Sequence, residues 1–155
     1  MTIVAAILSA LHVLALAIGL SAIVLRARAL ATLGTSADTA TIKRALLADG
    51  LWGLAAALWI LTGSARAFGP LEKGTEFYLG SPLFHAKLGL FLLVFALELR
   101  PMIGLIGWRK TLRAGKTPDL SQAPLYATLS WIEAVLVVVI VFVASLMARA
   151  VGFPG

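Results

Sequence analysis

The chain has no cysteine and only three methionines, two tyrosines and two histidines in 155 residues. Without cysteine there are no disulfides, no iron–sulfur clusters and no thiolate catalysis, although redox compartment stays open. Met1, Met102 and Met147 are too few and too scattered for a copper path, which wants soft ligands in series. No Walker loop, Rossmann glycine pattern, zinc-type His/Glu cluster or nucleophile elbow is present. Charged residues are 13% of the chain, about half the usual share. Acids are the scarcer sign, 7 against 13 Lys and Arg, giving a net charge of +6. The basic residues sit at the ends of apolar segments and form no stripe interleaved with aromatics, so nucleic acid is excluded as a partner.

Apolar residues are abundant: 61% of the chain is hydrophobic and its mean hydropathy is +1.00. A domain this small has too little interior to hide that surface, so a lipid bilayer is the expected solvent. A span needs ~20 apolar residues, and four segments qualify, near 3–25, 45–63, 83–107 and 125–150. Backbone polar groups in lipid must be satisfied internally, which makes each segment a helix. The expected fold is an all-α, integral membrane four-helix bundle in one domain, residues 1–155. The first segment lacks a basic n-region and is longer than a signal-peptide core, so it reads as a retained membrane helix. Pro82 suits the first turn of the third helix. Pro101 leaves two readings there: a kink with continuation, or an end followed by an interfacial segment.

The first loop, 26–44, carries Arg26, Arg28, Lys43 and Arg44. The third, 100–124, carries Arg100, Arg109, Lys110, Arg113 and Lys116. The second offsets Arg66 and Lys73 with Glu72 and Glu76. The positive-inside rule then puts loops one and three in the cytoplasm and both termini outside. Trp108 and Tyr126 fall near the inner interface, and Phe77 and Tyr78 near the outer one, as aromatic belts. An internal repeat is suggested by matched spacings: His12 to Arg26 and His85 to Arg100, Asp49 to Arg66 and Glu133 to Arg149. Parallel repeats of this kind relate helical hairpins about an axis along the membrane normal.

Ionisable residues inside a membrane are functional candidates by default. Measured from their inner basic anchors, His12 and His85 share a depth of ~21–23 Å along the helix, which suits two axial ligands to one heme iron. Measured from the outer helix starts, the two differ by ~10 Å. The bland alternative is an interfacial His85 and a His12 that hydrogen-bonds a neighbouring helix. Lys87 lies about 200° around the helix from His85, so the two cannot face one centre. Lys87 snorkelling outward would join Arg66 and Arg149 in a cationic ring suited to heme propionates or an anionic lipid headgroup. Asp49, Glu98 and Glu133 share the inner half with Arg26, Arg28, Arg100 and Arg109, either as an ion-pair network or as a proton path. Trp52 and Trp59 share a face with Asp49, Ala56 and Gly63, read as packing or as the wall of a flat cofactor. Ala144 and Ala148 form a small-residue face for packing or a homodimer.

Leu11-His12, Asp49-x-x-Trp52, Phe77-Tyr78, Phe84-His85-Ala86-Lys87-Leu88, Glu98-Leu99-Arg100-Pro101-Met102, Trp108-Arg109 and Ala148-Arg149 together resemble the bacterial membrane proteins of the domain-of-unknown-function 2214 family. That resemblance spans nearly the whole chain and implies a multi-pass fold in the bacterial inner membrane. A looser likeness is to the HemJ-type protoporphyrinogen oxidases, small helical membrane proteins associated with heme b. It would match His12 to an early histidine, and His85, Lys87 and Leu88 to a later stretch. The chain departs from that family after the first helix, where Val24-Leu25-Arg26-Ala27-Arg28 replaces an aromatic-rich run.

The leading expectation is a heme b-binding protein with His12 and His85 on the iron and Arg66 and Lys87 on the propionates, exchanging electrons with a quinone or a porphyrin. If it is an enzyme, it is oxidoreductase-like. The rivals are an accessory subunit or assembly factor of a larger membrane complex, and a small proton-coupled transporter using Asp49, Glu98, Glu133 and Arg100.

Overall fold

The fold is described from a computed structural model covering residues 2–34, 38–68 and 79–149. Among these residues it consists of four helices: α1 Thr2–Leu33, α2 Thr39–Phe68, α3 Pro82–Arg113 and α4 Ala123–Ala148. All four are long and apolar enough to cross a membrane. The first three are longer than their apolar windows suggest, while α4 has the expected length but begins at 123 and ends at 148, two residues ahead of the expected 125–150. Helices of 26 to 32 residues run about 39–48 Å at 1.5 Å per residue, against ~30 Å of hydrocarbon. The apolar run marks only the part in lipid, and the backbone stays helical beyond it.

Pro82 occupies the first turn of α3, where Ser81 caps the helix by accepting a bond from the Phe84 N–H. The helix continues through Pro101 to Arg113, so it does not end at that proline. Pro101 is buried, and its missing N–H removes one ladder bond without ending the helix. At the start of α2, Asp38 accepts the Thr41 N–H at 2.9 Å, satisfying a first-turn donor.

Side chains are distributed as lipid requires. Leucine, isoleucine, valine and phenylalanine cover the outside, among them Ile3, Leu61, Val135 and Phe142. The interior is rich in alanine, which lets helices approach closely. α1 packs along both α2 and α4, and α4 packs along α3, while the α2–α3 seam is thinner. One apolar core, including Ile23, Trp52, Trp59, Val94 and Val137, fills the middle and one half. A second, including Leu30, Ile42, Leu105, Trp108 and Tyr126, fills the half nearest the α1–α2 and α3–α4 loops. That half is called the loop end below, and the opposite half the terminal end.

Trp108 and Tyr126 belong to this second core. Their rings lie 5.9 Å apart and both are buried, so they pack helices together instead of forming a lipid-facing belt. A methyl on Gly104 would overlap the Tyr126 hydroxyl and ring, which makes glycine a steric requirement of the α3–α4 contact. Phe77 and Tyr78 lie outside the described residues.

Candidate functional site

The loop half holds a buried charge cluster centred on Arg26. The residue reads from sequence as an interfacial anchor in a loop, but α1 continues past it and its side chain is fully buried. The correction has a direct cause, because three other helices each bring it a carboxylate. Nη1 donates to Asp49 Oδ1 at 3.0 Å and Glu98 Oε1 at 2.7 Å. Nη2 donates to Glu98 Oε2 at 2.6 Å and Glu133 Oε2 at 2.8 Å. Nε donates to Ser130 Oγ at 3.0 Å, and that hydroxyl donates onward to the Tyr126 carbonyl. All five guanidinium hydrogens are thereby used.

Three further bonds close the thin α2–α3 seam here. The Trp52 indole N–H reaches Glu98 Oε2 at 3.0 Å. Arg109 Nη2 reaches Asp49 Oδ2 at 2.8 Å and the Leu46 carbonyl at 2.7 Å. Of the inner-half residues grouped from sequence, Asp49, Glu98 and Glu133 do converge. Arg100 does not: it is exposed and lies 3.4 Å from Gln122 Oε1. Arg28 is likewise exposed.

At the terminal end the same seam opens into a cavity of about 660 Å³ lined from all four helices, within the roughly 300–1,000 Å³ range of cofactor sites. Its walls are mainly apolar, with Trp59, Phe91 and Ile140 prominent, and His12, Arg66 and Lys87 supply polar groups. His12 Nδ1 lies 2.8 Å from Thr62 Oγ1. That hydroxyl donates to the Leu58 carbonyl at 2.7 Å, so it accepts from Nδ1–H and leaves the ring's lone pair on Nε2. The ring is held further by Trp59, at a centroid distance of 5.7 Å, and by Gly63, where a Cβ would stand 3.2 Å from His12 Cε1. Trp59 in turn meets Phe91 edge-on at 6.1 Å.

The proposed histidine pair is not brought together around this cavity. His85 is exposed, is absent from the lining, and donates Nδ1–H to the Ser81 carbonyl of its own first turn at 2.9 Å. Lys87, two positions on, does line the cavity, as the 200° rotation between them requires. Arg149 is exposed beyond the end of α4 and is not a lining residue. Ala144 and Ala148 line the cavity, and their small side chains leave room there. The suggested repeat is not kept at side-chain level, since Arg26 is buried where Arg100 is exposed. Among the described residues no group of three or more His, Cys, Asp or Glu is arranged to hold a metal ion.

Sequence reasoning missed Thr62 and Ser130. Each is a single hydroxyl in an apolar helix, a pattern usually spent on a bond to the preceding turn. Both make that bond, and both also hold a polar side chain from another helix, His12 and Arg26 respectively.

No curated protein and no solved structure matches the chain, so the HemJ likeness finds no counterpart among them. A family described as predicted membrane protein (DUF2214) matches residues 4–152. With four membrane-length helices and a match over almost its entire length, the chain belongs to the DUF2214 family of membrane proteins.

Proposed function

We propose that the protein binds one heme b in the terminal-end cavity, with His12 as the protein ligand to iron and Arg66 and Lys87 taking the propionates. The observation that carries this reading is the oriented His12 ring. Histidines that ligate metals donate their second ring N–H to a fixed acceptor, and Thr62, itself tied to Leu58, plays that part here. An aromatic and aliphatic lining suits a flat apolar macrocycle, and two cations in the same lining suit its carboxylates. Bound heme would supply one-electron redox chemistry. The chain's own contributions are to fix the Nε2 lone pair, to hold the anionic edge and to keep water away from the ring faces with Trp59 and Phe91. His85 then serves as a helix-start residue.

A quinol is the second reading, favoured by one observation. Among the described residues the Trp59 indole N–H, beside His12, is buried without a protein acceptor. An oxygen-bearing ring could accept from it and donate a hydroxyl to His12 Nε2.

The test is the absorption spectrum of the detergent-purified protein, oxidised and dithionite-reduced, after heme-replete expression. A Soret band that is lost in His12→Ala and retained in His85→Ala is the expected result. A band that survives His12→Ala overturns His12 as the iron ligand, and no band even after hemin is added overturns the heme reading. Quenching of Trp59 fluorescence by a short-chain quinone, reduced in His12→Ala, would then support the second.

A further inference from the structure

The Arg26 cluster contains more negative than positive charge. Arg109 pairs with Asp49. That leaves Arg26 to face two more carboxylates, Glu98 and Glu133, on the same Nη2 atom at 2.6 and 2.8 Å. The three carboxylates are not equally provided for. Asp49 receives one bond on each oxygen. Glu98 receives three, two from Arg26 and one from Trp52. Glu133 receives one side-chain donor, on Oε2. Among the described residues its Oε1 is buried without a partner, and the residue is 0% exposed. Every hydrogen of Arg26 is already committed, so no rotation of the guanidinium can serve that oxygen. An ionised carboxylate with one bare oxygen, in a lipid-surrounded bundle and against a second carboxylate, is strongly disfavoured. A single proton removes both penalties.

We propose that this cluster is a proton-binding site, with one proton held on Glu133 against Glu98 and exchanged through Glu98. Every helix contributes charged or polar groups to the cluster that holds Glu133: Arg26 from α1 bonds it directly, Glu98 from α3 shares the same Nη2, and Asp49 and Trp52 from α2, Arg109 from α3 and Ser130 from α4 bond Arg26, Glu98 or Asp49 in turn. Glu98 is the exchange point because its side chain is 14% exposed while that of Glu133 is sealed. Proton transfer between the two needs only that the carboxyl hydrogen pass from one to the other on the shared guanidinium. The site is independent of the heme reading, since His12 lies 14 residues from Arg26 on α1, ~21 Å along the axis.

The experiment is infrared spectroscopy of the full chain in lipid nanodiscs at pH 7, in H₂O and in D₂O, with and without sodium at fixed ionic strength. Uniform ¹³C-glutamate labelling of the wild type identifies the side chain without mutation. The proposal predicts one protonated-carboxyl carbonyl band per chain, shifted by deuterium and by the ¹³C label and insensitive to sodium. Glu133→Gln, which mimics the protonated form, loses that band and keeps the wild-type melting temperature, whereas Glu98→Gln melts well below it. Absence of the band at pH 7, failure of ¹³C-glutamate to shift it, or its persistence in a folded Glu133→Gln overturns the proposal. Sodium-dependent stabilisation with no band would identify the counter-charge as a metal cation and overturn it equally.

Discussion

The two ends of the α2–α3 seam are built from opposite materials. At the loop end it is drawn shut by Trp52 on Glu98 and by Arg109 on Asp49 and the Leu46 carbonyl. At the terminal end, Trp59, Arg66 and Gly63 of α2 face Phe84, Lys87 and Phe91 of α3 across a cavity. Hydrophobic contact drives little association between helices already in lipid. A seam therefore closes where polar groups find partners across it, as at the loop end. The loop end fastens the bundle and the terminal end leaves a cavity, where the proposed heme would sit.

The largest expected effect comes from removing the fastener. Arg26→Met leaves three carboxylates facing one another, and breaking a buried pair costs about 3–5 kcal/mol. Loss of monodisperse protein on size exclusion, with little recovery in Arg26→Lys, is the expected outcome, and wild-type behaviour would break the contrast between the ends. Next is Gly104→Ala, which drives a methyl into Tyr126. Overpacking of this kind costs about 1–3 kcal/mol, read as a lowered melting temperature. Ala144→Phe should do the reverse: filling the terminal cavity removes heme binding while the apo-protein melts within about 1 kcal/mol of wild type, as expected away from a packed core. Arg109→Gln comes next at about 1 kcal/mol or less, because Arg109 is 34% exposed and solvent weakens its pair with Asp49.

The smallest effect is in the loops. Bonds from the Thr41 hydroxyl and N–H hold Asp38 below the usual carboxylate range, and bonds from the Ser121 N–H and hydroxyl do the same for Asp119. A carboxylate with a depressed folded pKa stabilises the fold above its unfolded pKa, and that contribution fades as pH falls through the folded value. Melting curves of Asp38→Asn and Asp119→Asn should therefore converge on wild type only in acid.

Four helices, their order and the α3 start at Pro82 were legible in the sequence, because apolar runs and a first-turn proline are local signals. The helix ends were not, since hydropathy reports the lipid boundary and not the end of the backbone ladder. Asp49, Glu98 and Glu133 were legible as a group by depth. Arg26 as their hub was not: its partners lie 23, 72 and 107 residues away, and the apolar window ends one residue before it. The histidines show the same limit. Depth along a helix can be read from spacing, but rotation about it depends on neighbours, and rotation separates His12 from His85.

The most direct test of the division between the ends is to measure unfolding and hemin binding on the same nanodisc samples of wild type and His12→Ala. The account predicts apo-proteins that melt together and a hemin complex that forms only in the wild type. A His12→Ala protein that binds hemin as wild type does while melting far below it would make His12 a structural fastener and contradict the account.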